Sequence, residues 1–137
     1  MLKAGDTFLL PPQANVIEHL WVVLTDPDTD GNAICANITS EDPDHTVELF
    51  LGDHPFINHP SVVRYRDARP INIKVVVAAI EGKIDRGGMV CRSHQPCSVP
   101  VLVRIRKGLL DSPHTPKKIK AVCAAAWGID WPPKKTK

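Results

Sequence analysis

Residues 51–69, LGDHPFINHPSVVRYRDAR, bring together Asp53, His54, Asn58, His59, Ser61, Arg64, Tyr65 and Arg66. Two imidazoles stand five residues apart, each followed by proline, in His54-Pro55 and His59-Pro60. Histidine titrates near pH 6.5, so one ring can accept a proton while another donates one. Arginine offers a planar fork that matches phosphate oxygens. Such a set suits an anionic substrate and proton transfer, and metal-free RNA cleavage is one reaction that needs these roles. There a base removes the 2′-hydroxyl proton, an acid protonates the leaving oxygen, and a cation stabilises the phosphorane. His19, His54 and His59 are the acid and base candidates. Arg64 and Arg66 are candidates for phosphate, and Thr39 or Ser40 for orienting a phosphate oxygen. Tyr65 or Trp21 could stack on a splayed base. Each also has a plainer role. His19 could be a satisfied histidine in an apolar strand, Trp21 core, Tyr65 a packed ring with a tethered hydroxyl, and the whole stretch a polar hairpin.

These side chains need a rigid frame. Proline pushes the preceding residue to extended geometry, so neither histidine belongs inside a helix. Both are expected on a loop leading into a strand, SVVRYR, with Val63 and Tyr65 on one side and Arg64 and Arg66 on the other. Upstream, Thr7 to Leu10 reads as a short strand after Gly5-Asp6, ended by Pro11-Pro12. Val16 to Thr25, rich in β-branched residues, and Ala33 to Ser40 read as a hairpin around the turn DPDTDGN. Asp26, Asp28, Asp30 and Gly31 resemble the start of a calcium loop, but Asn37 holds the place of the twelfth-position Glu. An acidic hairpin turn is the expectation. Thr46 to Leu51 and Ile71 to Ile80 read as further strands.

Residues 81–97 contain Gly82, Gly87, Gly88 and Pro96 and read as a turn-rich connection. A helix follows from Ser98 to Leu110, with Ser98 as cap, Pro100 in the first turn, and Val99, Leu102, Ile105 and Leu109 at helical spacing. Thr115-Pro116 opens a second helix with Ile119, Val122, Cys123 and Ala126 as its apolar face. The expected organisation is one domain over 1–137, with strands about 4–80, helices about 98–127 and a frayed tail over 128–137. The fold class is mainly β (α+β), a small antiparallel β-barrel or strongly bent sheet with two C-terminal helices.

Composition narrows the function classes. No apolar run is long enough to span a membrane, and the start carries no signal-peptide pattern, so a cytoplasmic protein without membrane contact is expected. The four cysteines are scattered and read as thiols. Cys91-x5-Cys97 around His94 is looser than a zinc knuckle, so neither metal nor cofactor is expected there. The net charge of +2 hides an asymmetry. Residues 1–63 hold one basic side chain against ten acidic ones, and residues 64–137 hold sixteen against five. Either the halves attract each other, or the basic half presents a face to phosphates or to an acidic partner.

Gly5-Asp6 with its short strand, then HLWVVLTDP, then ICANITS, resembles the MazF/PemK/CcdB toxin group over about residues 4–40. The resemblance implies an SH3-like barrel, cleavage of single-stranded RNA, neutralisation by an acidic antitoxin and a homodimer. The catalytic threonine of the family would fall at Thr39. The family's arginine before the second strand is replaced by His19, so the chain would be a divergent member with its chemistry transferred to histidines. Two other classes stand beside this one. A non-catalytic barrel would bind nucleic acid or a protein partner. A metal-dependent hydrolase would use His19, His54, His59 and Asp53, though no HxH or HExxH spacing brings them onto one face.

Overall fold

The computed structural model describes residues 1–10, 18–84 and 91–133. Among them the order is β1 (Thr7–Leu10), β2 (His19–Val23), β3 (Asn32–Thr39), β4 (Glu48–Leu49), β5 (Ser61–Asn72), α1 (Ile73–Ile80), β6 (Arg92–His94), α2 (Val99–Asp111) and α3 (Lys117–Trp127). The strands form one antiparallel sheet, β4-β5-β3-β2-β1-β6, curled as a half-barrel. The expected β2–β3 hairpin is present, with Leu20 opposite Ile38 and Val23 opposite Cys35. Its turn is closed by the Asp28 carboxylate, which accepts the Asp30 and Asn32 amides, both at 2.9 Å, while Gly31 takes φ 89°. The row of aspartates therefore serves an Asx-type turn. No described helix is long and apolar enough to cross a membrane.

Both faces of the sheet are covered, which explains why its strands read as apolar runs rather than strict alternation. On one face Leu20, Val22, Ala36, Ile38, Val63 and Tyr65 pack with Val101, Ile105 and Leu109 of α2 and Ile119 and Cys123 of α3. On the other, Phe8, Trp21, Val23 and Cys35 pack with Ile73 and Val76 of α1. The curl has a local cause. Cys35 pairs with Arg69 and Asn37 with Arg64, so Ala36 alone faces the stretch Tyr65 to Ala68. Extra residues in one strand bend it and increase its twist. The expected alternation holds into the start of this bulge, with Val63 and Tyr65 buried, Arg64 partly exposed and Arg66 exposed.

Several expectations are corrected. Residues 71–80 are not a strand: β5 ends at Asn72 and α1 begins at Ile73. Asn72 caps that helix by accepting the Val75 amide at 3.2 Å, and the Ile73 amide donates to the Gly31 carbonyl at 2.7 Å. Capping and the burial of Ile73 and Val76, one turn apart, outweigh the β-branched composition. The connection 81–97 contains β6, which adds to the free edge of β1. In α2 the cap at Ser98 is as expected, but Val99 is exposed and the buried row is Val101, Ile105, Gly108 and Leu109. In α3 the buried residues are Ile119, Cys123 and Ala124, and Val122 and Ala126 face solvent. The Pro11-Pro12 stop, the Val16 start of the second strand, Gly87-Gly88 and the last four tail residues lie outside the described residues.

Candidate functional site

The loop after β4 is fastened by His54. Gly52 at φ 97° and the Asp53 carboxylate, which accepts the Phe50 amide at 2.8 Å, turn the chain there. The buried His54 ring accepts the Phe56 amide on Nδ1 at 3.0 Å, and its Nε2–H donates to the Gln95 carbonyl at 2.5 Å. The Thr7 hydroxyl donates to the same carbonyl at 2.8 Å. The His94 ring lies against His54, with centroids 4.9 Å apart, and Phe56 meets His94 edge-on. Burial holds the His54 pKa below the ordinary histidine value. The nearby His94 adds to the fall, and the bond to Gln95 opposes it. With both ring nitrogens engaged and the neutral form favoured, His54 ties the loop to the segment after β6.

The anchored loop buries Ile57 and carries His59 to the surface. A cavity of about 280 Å³ opens between the loop and the ends of β2 and β3. Glu18 and His19 line it from the start of β2, Thr39 and Ser40 from the end of β3, and Asn58, His59 and Ser61 from the loop and β5. Ile38, Phe56 and Ile57 complete the lining. The register accounts for the convergence. Leu20 pairs with Ile38, so His19 and Thr39 stand at adjacent strand ends.

The Asn58 amide oxygen lies 2.5 Å from His59 Nδ1. That oxygen only accepts, so Nδ1 carries the hydrogen and Nε2 keeps its lone pair. In its neutral form the His59 ring is thus oriented as a base. Among the described residues no hydrogen bond holds the His19 ring. The Thr39 hydroxyl accepts the Glu41 amide at a long 3.5 Å. The Glu18 carboxylate meets the Arg92 guanidinium of β6 in a two-pronged bridge, with Nη2 to Oε1 at 2.5 Å and Nε to Oε2 at 3.2 Å.

Of the sequence-derived candidates, the cavity therefore gathers His19, Thr39, Ser40 and His59. His54 lies outside it and borders a separate cavity with Asp53, Gln95 and Ser98. Arg64 and Arg66 share the buried Asp42 carboxylate, at 3.2 and 3.0 Å, and Arg64 also meets Asp67 at 3.2 Å. Tyr65 does not reach the surface. It is fully buried, its hydroxyl donates to the Ile105 carbonyl at 2.7 Å, and burial pushes its phenol pKa well up. Stacking on a base is closed to it. Trp21 is core as well, parallel to Phe8 and covered by the Arg69 guanidinium. Part of the charge asymmetry is neutralised within the chain, through Asp42 with Arg64 and Arg66, Asp53 with Arg104, and Glu18 with Arg92.

Among the described residues no group of three or more His, Cys, Asp or Glu is placed to hold a metal, so Asp53, His19, His54 and His59 do not form a ligand set. Among the described residues Cys35, Cys97 and Cys123 are thiols, and burial raises the Cys97 thiol to about 11. The residues that sequence reasoning passed over are Glu18, Arg92 and the orienting role of Asn58. Asn58 and Glu18 are chain neighbours of His59 and His19, and that adjacency was the available signal. Arg92 had none, because it reaches the cavity region only through the pairing of β6. Comparison with family models, with curated proteins and with solved structures finds no match for this chain.

Proposed function

We propose that the protein is a metal-independent endoribonuclease acting on single-stranded RNA, with the cavity between His19 and His59 as its active site. One observation carries this reading: two histidines on different strands and loops line one cavity together with the hydroxyl residues Thr39, Ser40 and Ser61. His59, with Nδ1 held by Asn58, takes the 2′-hydroxyl proton on Nε2. His19 in its imidazolium form protonates the departing 5′-oxygen. The 2′-oxygen attacks phosphorus, the bond to the 5′-oxygen breaks, and a cyclic phosphate remains. Thr39 and Ser40 donate to phosphate oxygens. His54 serves the site by positioning the loop.

The same reading makes the chain a divergent relative of the MazF/PemK toxins, with the half-barrel as a variant of the SH3-like barrel. It acts in the cytoplasm as a homodimer under the control of an acidic antitoxin protein. What supports it is the opening sequence pattern and the place of Thr39 in the cavity lining.

The test is cleavage of a long single-stranded RNA in EDTA. Wild type is expected to cut, and His19→Gln and His59→Gln each to lose about 10²–10⁴-fold in rate with unchanged circular dichroism. Absence of cleavage by wild type, with or without divalent metal, would leave a non-catalytic barrel that binds nucleic acid or a protein partner. Cleavage only with metal would favour a metal-dependent hydrolase.

A further inference from the structure

We infer that Arg92 is the anion-binding group of the His19–His59 cavity and that Glu18 occupies it until an anion takes the carboxylate's place. The identification of that anion as an RNA phosphate rests on the reading above, whereas the anion site itself rests on the geometry. Phosphate transfer without metal needs a cation beside the two imidazoles. Arg64 and Arg66 are engaged by Asp42, whose carboxylate is buried and stands outside the lining. On α2, Arg104 holds Asp53 and the Glu48 carbonyl, and Arg106 holds the Leu24 carbonyl and covers Trp127. Arg92, by contrast, is bonded to Glu18, a residue of the cavity wall.

The sheet register fixes the face on which Arg92 lies. Leu9 pairs with both Leu20 and Arg92, and Leu20 pairs with Ile38, which lines the cavity. Cross-strand partners share a face, so Arg92 leaves the sheet on the side of Leu20, Ile38 and Glu18, while His19 and Thr39, one position off, reach the cavity at the strand ends from the other face. Phe56, another lining residue, packs against His94, two positions along the same strand. The pair is also poised for exchange. The Arg92 side chain is 57% exposed and that of Glu18 27%, so water screens the bond between them. A phosphate offers the same two-oxygen edge with more charge, and the guanidinium can trade one bidentate partner for the other. Glu18 meanwhile places a negative charge at the cavity wall that opposes any anion arriving while Arg92 is occupied.

The test titrates inorganic pyrophosphate into wild type, Arg92→Gln, Glu18→Gln and Arg64→Gln, following the ring resonances of His19 and His59 by NMR. Wild type should give saturable shifts. The affinity should fall about tenfold in Arg92→Gln, rise several-fold in Glu18→Gln, and stay within about twofold in Arg64→Gln. Circular dichroism checks that each variant is folded. No saturable response in wild type, or equal affinity in Arg92→Gln, overturns the inference. Cleavage of RNA in EDTA separates the two levels. Arg92-dependent pyrophosphate binding without any cleavage keeps the anion site and sinks the ribonuclease reading. Cleavage with an unchanged KM in Arg92→Gln does the reverse.

Discussion

The Tyr65 hydroxyl and the α-carbon of Gly108 occupy one slot between β5 and α2. The hydroxyl donates to the Ile105 carbonyl at 2.7 Å, and a Cβ at position 108 would lie 2.3 Å from its oxygen and 2.2 Å from Val47 Cγ2. The helix therefore approaches the bulged strand this closely only where a side chain is missing. Gly108→Ala gains about 1 kcal/mol of helix propensity but must push apart Tyr65 and Val47. Overpacking of this kind costs about 1–3 kcal/mol, and the clash with two buried groups puts this site at the upper end. Urea unfolding should show a net loss of stability. Gly108→Ala combined with Tyr65→Phe should be less destabilising than the two separate losses added together. A Gly108→Ala variant as stable as wild type would mean that α2 does not pack as described.

His54 makes stability depend on pH in a defined direction. Its folded pKa is lowered by burial first and then by His94. The unfolded chain, with the ordinary value near 6.5, therefore binds the proton more readily than the folded chain. Stability is complete above pH 6.5 and falls as the pH drops from there toward the folded pKa, because protonation favours the unfolded state. Urea midpoints at pH 7.5 and pH 5.0 check the slope. His54→Gln should lower stability at both values, since the ties to Phe56 and Gln95 are lost, and should flatten the difference between them. A wild-type midpoint that rises on acidification would contradict the buried, neutral ring.

Helix α1 depends on Asn72. Its side chain accepts the Val75 amide, and its Nδ2 donates to the Asp30 carbonyl and to Asn32 Oδ1, both at 3.3 Å. One residue thus caps a helix and ties it to the β2–β3 turn. Asn72→Ala should cost about 0.5–2 kcal/mol, the range for loss of an N-cap. Asn72→Ser, which keeps a capping oxygen, should recover part of it. Thermal unfolding of the two variants gives the comparison, and equal losses would assign the effect to the turn contacts rather than to the cap.

The same residue shows where sequence stops being informative. INIKVVVAAI reads as a strand by composition, and nothing within it reveals that Gly31, some forty positions earlier, supplies the carbonyl for the first helical amide. Signals that act within a few residues were legible. They include the turn around Asp28 and Gly31, the cap at Ser98, and the alternation of Val63 and Tyr65 with Arg64 and Arg66. Strand β6 was not, because Arg92, Ser93 and His94 have no strand preference of their own and are ordered by the edge of β1. In the site, His54-Pro55 and His59-Pro60 look equivalent in sequence. They differ because the Gln95 carbonyl meets one ring and the Asn58 amide meets the other. Likewise Arg64 and Arg66 promise a phosphate site until Asp42, folded back from the preceding loop, takes both.

The Asn58–His59 contact gives the sharpest test of the chemistry proposed for the cavity. The amide fixes the tautomer but carries no charge, so it orients His59 without stabilising the imidazolium strongly. Replacing it with a carboxylate would favour the charged ring, as an anion beside a histidine raises its pKa. Asn58→Asp should therefore move the acidic limb of the pH–rate profile to higher pH, because His59 must lose its proton before it can act as a base. Asn58→Ala should lower kcat with little change in KM, since the ring keeps its place beside the cavity but loses its fixed orientation. The profiles are to be measured as kcat/KM for a short RNA in EDTA from pH 5 to 9. An acidic limb unmoved in Asn58→Asp but abolished in His19→Gln would exchange the two roles, making His19 the base and His59 the acid.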